Sequence, residues 1–462
     1  MTTVEVLRSS KMDDFISPAA WSLIECHFSA YAKEMLLKVI NFVMDECIPA
    51  EELHDVQISS DPLKRWKTVP AIIEELKVKA KQQGLWNLFL SKNHYPKHGV
   101  PLTNLEYAMM AEILGRGYRF ASEAMNCSAP DSGNIEVLAK YGNEEQQKMF
   151  LKPLLNGEER SAFSMTERFN SSSDATNIMT SIKQEGDEIV INGHKWWISG
   201  AGDPRCTFHL VLGRSGTNDD QNQSPYSQHS IVIVPANAPG VKVVRHMLIF
   251  GYDGAPEGRC EVTYTNVRVP LKNLILGWGR GFEIIQGRLG PGRIHHCMRS
   301  IGSAERALEY MIRRATNPER KPFGKLLGEN GTVIAELAKC RIKIEQARLL
   351  VLSAARMIDL YGAKEAQSQV AYAKVAVINA ALEVVDQSMQ IHGAAGVSQD
   401  FPLAQMWVHL RTLRYADGPD EVHLQQQGKR ELKRSKTLWQ RFDRIQNKSK
   451  ALLSANNIHH RL

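Results

Sequence analysis

Met165-Thr166-Glu167, continuing through Ser171-Ser172-Ser173-Asp174-Ala175-Thr176-Asn177, and then Asn192-Gly193-His194-Lys195-Trp196-Trp197-Ile198-Ser199-Gly200 are the stretches that decide how this chain folds. The first reads as a loop and the second as a strand. Together they bring backbone amides, hydroxyls and an indole plane to one place, where a flat ring with a polar edge can be held. Around them, residues 158–270 are short runs rich in β-branched side chains: Glu188–Asn192, Phe208–Leu212 and Ser230–Val234. Gly, Asn and Pro separate the runs, and Cys260-Glu261-Val262-Thr263-Tyr264 alternates with period two. This pattern predicts an antiparallel β domain. The polar insert 214–228 reads as a mobile surface loop.

On either side the apolar period changes to three and four. Before the β region, helical segments are expected near 29–48, 70–84, 103–115 and 132–155. Asn143-Glu144-Glu145 reads as a cap and acidic first turn starting a new helix, with Pro153 and Asn156-Gly157 marking its end. After it, long segments near 294–317, 328–362, 365–393 and 402–415 suit a four-helix bundle. The expected class is α+β. Its parts are an N-terminal extension (1–30), a helical domain (31–157), a middle antiparallel β domain (158–275), a C-terminal helical bundle (276–434) and a basic tail (435–462), with no internal repeat.

The bulk composition agrees. A chain of 462 residues with 43% apolar content is too long for one ordinary core. It holds no unbroken apolar run near the roughly 18 residues of a membrane span. Cysteines 26, 47, 127, 206, 260, 297 and 340 form no CxxC pair and read as reduced, mostly buried thiols. The net charge of +7 is concentrated: residues 429–461 hold ten Lys/Arg against Glu431 and Asp443, which leaves the rest at −1. The body is therefore not a nucleic-acid surface. The tail reads as a solvated helix face, or as a contact for acidic membranes or partners. Residues 1–20 show no evident mitochondrial presequence, and the ending His460-Arg461-Leu462 is a distant variant of the Ser-Lys-Leu peroxisomal address. The compartment expected is mitochondrial or peroxisomal.

A flavin would satisfy the opening loop and strand. Its pyrimidine edge needs donors, which Thr166 and the amides from Phe163 to Thr166, including Met165, can supply. Its N5 can meet Ser199, beside Ile198, while Trp197 walls the ring. The same residues also read as a plain β-sandwich with a buried Trp pair and Ser/Thr turns.

Several further motifs share an order. They are Tyr141–Gln146, Pro153–Glu158, Met165–Glu167, Trp196–Gly202, Gly287–Cys297, Gly393–Asp400 and Ala416–His423. In this order they resemble the acyl-CoA dehydrogenase family, most closely the subgroup of members ten and eleven, from about residue 35 to 432. The resemblance implies that family's fold and an FAD enzyme that takes the α-proton and the β-hydride from an acyl-CoA thioester. It implies long-chain or hydroxylated substrates, an electron-transfer flavoprotein as acceptor, and a homodimer or homotetramer. No metal site is implied.

The implied base is Asp417, before Gly418 at the thioester. Aspartate is one methylene shorter than the family's commoner glutamate, so its backbone must approach the substrate more closely. Burial is expected to raise its pKa. Some members carry the base instead where this chain has Gly292, and glycine cannot serve. Arg293 matches a residue near the substrate pocket. Ser173 matches a serine at the thioester end and, with Ser172, belongs to the cofactor loop. Arg320 and Phe323 match an Arg-x-x-Phe motif that reaches a neighbouring subunit's FAD pyrophosphate, and Gln390 and Ala394 match a segment that meets the neighbour's flavin. Glu421 aligns with an adenosine contact, although Pro419 and Glu421 replace the Thr and Gln of shorter-chain members. Arg168-Phe169-Asn170 departs from the subgroup, and Ala416 replaces a bulky aromatic.

Two other functions fit the same residues: a flavin oxidase of this fold acting on acyl-CoA or nitroalkanes, and an acyl-CoA binding protein without turnover. Full-length members of the subgroup can carry an N-terminal kinase-like domain, for which 462 residues leave no room.

Overall fold

The computed structural model describes residues 14–215, 224–456 and 458. The centre of the 214–228 insert, residues 1–13 of the N-terminal extension and the His-Arg-Leu ending lie outside the described residues.

The principal N-terminal helices are α1 (Ala30–Asn41), α2 (Ala71–Gln82), α3 (Asn104–Arg116) and α4 (Asp131–Tyr141). Helix α3 begins at a reciprocal cap, in which Thr103 and Glu106 each bond the other's backbone N–H, and every one of its residues is buried. The cap expected at Asn143 forms with Gln146. Pro153 does not end that segment. A π turn over Gln147–Leu151 precedes it, so the proline falls in the first turn of Lys152–Asn156, where a missing N–H costs little. The stop is Gly157, in the left-handed conformation.

Among the described residues seven strands follow: β1 (Arg160–Ser164), β2 (Ser181–Glu185), β3 (Glu188–Ser199), β4 (Cys206–Arg214), β5 (His229–Pro235), β6 (Val241–Met247) and β7 (Arg259–Pro270). They form one sheet in the order β1-β4-β2-β3-β7-β6, with β5 also on β4. The pairing is antiparallel as expected, except that β4 runs parallel to β1 and, at Ser181 and Arg214, to β2. The chain crosses through the Met165 loop and the β2–β3 hairpin between β1 and β4, so those two strands share a direction.

The C-terminal helices are α5 (Gly281–Ala315), α6 (Gly331–Glu365), α7 (Gln367–His392), α8 (Leu403–Leu413), α9 (Asp420–Leu432) and α10 (Ser435–Ala455). Helix α5 begins thirteen residues before the expected 294, because the backbone stays helical through Gly290-Pro291-Gly292. Helix α7 is long and apolar enough to cross a membrane, but 56% of its apolar window is buried inside the protein, where it packs against α5, α6 and α8.

Two apolar interiors result. One is shared by the N-terminal helices and the bundle, with α3 packed on α5 and α6. At the α3–α5 crossing a Cβ on Gly115 would sit 2.0 Å from the Arg299 carbonyl, and one on Gly302 would sit 1.9 Å from the Glu112 carbonyl. These glycines set the helix spacing. The other interior belongs to the sheet and is built on Ile182, Ile191, Val211, Val232, Val262 and Val267.

Candidate active site

The loop and strand with which the sequence reading began are tied together by a buried charge pair. Lys195 is fully buried. Its ammonium donates to the carbonyls of Met165 (2.7 Å) and Leu212 (2.8 Å) and to Glu167 Oε1 (3.0 Å). Glu167 also accepts from the backbone N–H groups of Met179 and Thr180 and from the Asn170 amide. Burial alone would push the Glu167 carboxyl up; Lys195 and these donors hold it well below the usual range. The Trp196 N–H donates to the Thr166 carbonyl (3.0 Å), and Thr166 Oγ1 donates to the Trp196 carbonyl (2.6 Å). The Met165-Thr166 backbone is thereby held against the start of the Trp pair.

At Trp197 the pairing of β3 with β7 slips between Lys195 and Ile198, and φ is +58°. A bulge of this kind re-aims a side chain. The Trp197 indole is 39% exposed, whereas Ile198 is buried. Ser199 ends the strand, half-buried. Phe163, on β1, is also half-buried, and the Arg288 guanidinium lies 4.2 Å from its ring centroid. Arg288 Nε is buried without a hydrogen-bond partner. Gly133 admits this guanidinium, since a Cβ there would meet it at 2.7 Å.

Arg288 also links the sheet to the carboxylate expected to be the base. Asp417 follows α8 with φ +55°, and Gly418 follows with φ +102°. Two successive positive φ values turn the chain sharply, and aspartate is among the few side chains that tolerate this. The Asp417 carbonyl is clamped by Arg293, from Nε at 3.1 Å and Nη2 at 2.9 Å, and it also lies 3.3 Å from His423 Nε2. The carboxylate is thus left free of the clamp. Its Oδ2 lies 3.5 Å from His296 Nε2, and a Cβ on Gly292 would come within 4.0 Å of it. The Gly292 position and the Asp417 carboxylate, the two candidate places for a base, therefore face the same spot.

The expectation that burial raises the Asp417 pKa is overturned. Burial does push it up, but His296, Arg288, Arg293 and Lys374 together carry it below the ordinary value. His296 is itself pushed down to about 4, by burial first and by Arg299, so its ring is neutral at neutral pH. Arg299 Nη2 donates to His296 Nδ1 (3.1 Å). The one remaining ring proton is therefore on Nε2, facing Asp417. Behind Asp417 lies a cavity of about 10 Å³, edged by Arg293, His296, Cys297 and Lys374, with room for roughly one water.

The other expected site residues fall into two groups. Ser172 lies in the Glu167 loop, where its hydroxyl accepts the Glu167 N–H at 2.8 Å; Ser173 beside it is exposed. Arg320, Phe323, Gln390, Ala394 and Glu421 are all exposed. Among the described residues no hydrogen bond, ion pair or ring contact joins these five to Thr166 or Trp197. Phe323 stands wholly clear of the surface, at φ +55°. Lys195, Arg288, His296, Lys374 and His423 were not foreseen as site residues. A signal for two of them was present: Arg288, Gly292, His296 and Arg299 recur at steps of four, four and three, one face of a helix.

Three family models match in chain order: acyl-CoA dehydrogenase N-terminal domain over 32–158, middle domain over 162–267 and C-terminal domain over 279–432. Acyl-CoA dehydrogenase family member 11 of Gallus gallus is 50% identical over 399 residues, covering 86% of this chain and 50% of that protein. The Mycobacterium tuberculosis protein FadE2 is 48% identical over 410 residues, covering 88% of this chain and 97% of its own length. A solved chain from Mycobacterium abscessus superposes with a TM-score of 0.83 at 46% identity, covering 88% of this chain and 99% of that one. This chain spans about half the length of the Gallus gallus relative.

Proposed function

The chain belongs to the acyl-CoA dehydrogenase family, and from that premise we propose that it is an FAD-dependent dehydrogenase of acyl-CoA thioesters with Asp417 as its α-proton base. The observation that carries this reading is the clamp on Asp417. A backbone turn of unusual φ, held through its carbonyl by Arg293, presents a carboxylate that faces His296 and lies in the same charge cluster as the Arg288 that covers Phe163. The residues fit FAD. The half-exposed Trp197 indole and the partnerless Arg288 Nε are the kind of surface that a bound ring would cover. Thr166, Ser199 and Trp197 would hold it.

When bound, FAD supplies the acceptor for the β-hydride. Asp417 removes the α-proton and the α,β double bond forms. The neighbouring cations keep Asp417 ionised, and His296 Nε2–H steadies one of its oxygens. An ionised base with so low a pKa is weak, so the thioester must be acidified where it binds. The exposed Arg320 and Phe323 suit reaching a second subunit's FAD, as in a homodimer or homotetramer. Electron-transfer flavoprotein is the expected acceptor, and long-chain or hydroxylated acyl-CoA the expected substrate.

The test is an anaerobic titration of the yellow protein with acyl-CoAs of graded length, followed at the flavin absorbance band. Bleaching without lag is expected. Protein that stays oxidised with every chain length would refute the reading. The pH dependence follows from the charge cluster. Asp417 loses activity only when protonated, and its pKa is depressed, so the acid limb of flavin reduction lies below the ordinary aspartate value of about 3.9. His296→Phe removes one group favouring the carboxylate and moves that limb to higher pH. A limb that stays in place would show that His296 has only a packing role.

A further inference from the structure

The family match ends at residue 432, and α10 lies wholly beyond it. None of its 21 residues is buried. Among the described residues no hydrogen bond, ion pair or ring contact joins this helix to another element. Its side chains are nonetheless sorted. Leu438, Phe442, Ile445 and Leu452 follow at steps of four, three and seven, which places them on one face of a helix. Phe442, Ile445 and Leu452 are 52%, 53% and 57% exposed, and Trp439 at the edge of the stripe is 69% exposed. Arg441 and Lys448 border one side of the stripe with Arg444 beyond them, and on the other side, past Trp439, Lys450 lies beside the helix's single acid, Asp443.

We propose that α10 lays this apolar face on the surface of an anionic phospholipid bilayer, with its basic flank of Arg441, Arg444 and Lys448 against the headgroups. Charge complementarity selects this occupant. The chain outside residues 429–461 has a net charge of −1, so the cationic charge is gathered on and beside this one helix. Two copies of α10 set face to face would bring those cations together, whereas an anionic surface attracts them and takes up the apolar stripe and Trp439 at the same time.

The test uses the full chain, as purified with its cofactor, co-sedimented with phosphatidylcholine vesicles with and without phosphatidylserine. Binding is expected only with phosphatidylserine, and it should weaken as salt is raised. The double variant Phe442→Glu/Ile445→Glu should lose binding by about tenfold or more while keeping its flavin reduction. No binding to either vesicle would overturn the proposal, as would binding that the variant leaves unchanged. Loss of oligomeric mass by the variant without lipid would assign the stripe to a second copy instead, and would also overturn it.

Discussion

Asp417→Asn slows flavin reduction by acyl-CoA by roughly 10²–10⁴-fold, the usual worth of a general base. The substitution is informative because it changes so little else. Asparagine tolerates the left-handed conformation at φ +55° as aspartate does. The Arg293 and His423 contacts are made to the backbone carbonyl, so they survive. What disappears is a negative charge among Arg288, Arg293, Lys374 and His296. The variant should therefore fold, stay yellow and still bind thioester. A stopped-flow trace matching the wild type would remove Asp417 from the mechanism. With the wild type active, such a result would leave the family assignment intact and move the base elsewhere.

Arg348→Met destabilises the protein by about 3–5 kcal/mol, the usual cost of breaking a buried ion pair from one side. Arg348 and Glu112 are both fully buried. The guanidinium bonds Glu112 through Nε (3.0 Å) and Nη2 (2.9 Å), Glu345 through Nη1 (2.6 Å), and Glu305 through Nη2. Four side chains thus pin α3 and α5 to α6. Without the arginine, Glu112 keeps no side-chain partner among the described residues and must ionise in an apolar interior or take up a proton. The double variant Arg348→Met/Glu112→Leu should recover much of the loss, because no charge is then stranded. Denaturant unfolding of both variants checks this; a single-variant loss under about 1 kcal/mol would show that water reaches the cluster.

Much of the β unit was legible because its signal is local. Glu188–Asn192, Phe208–Leu212, Ser230–Val234 and Cys260–Tyr264 all lie in strands, since short β-branched runs bounded by turn residues leave few alternatives. The acyl-CoA dehydrogenase resemblance then marked out the loop, the Trp pair and Asp417. What stayed hidden depends on distant partners. Lys195 reads as a surface residue until Glu167 and two carbonyls are brought to it. Glu261, in an alternating strand, should face solvent on one side, yet it is fully buried beneath Arg168, His194 and Arg245. Gly-Pro-Gly reads as a helix break, and only the packing of α5 against α3, α6 and α7 shows that it is not one. The direction of the Asp417 pKa shift could not be read either. Desolvation is visible in a motif, whereas Arg288 and Lys374 arrive from 129 and 43 residues away.

The separate interiors of the helices and the sheet have a mechanical consequence. Phe163 and Met165, with Phe208, Leu210 and Ile231 of the same sheet, pack on the helical interior, so the candidate site lies along the seam between the sheet and the helices. Breathing at such a seam can admit or release a bulky guest while both bodies stay folded. Amide exchange in the sheet and in the helices should then follow two rates, and a bound thioester, by bridging the seam, should slow both together.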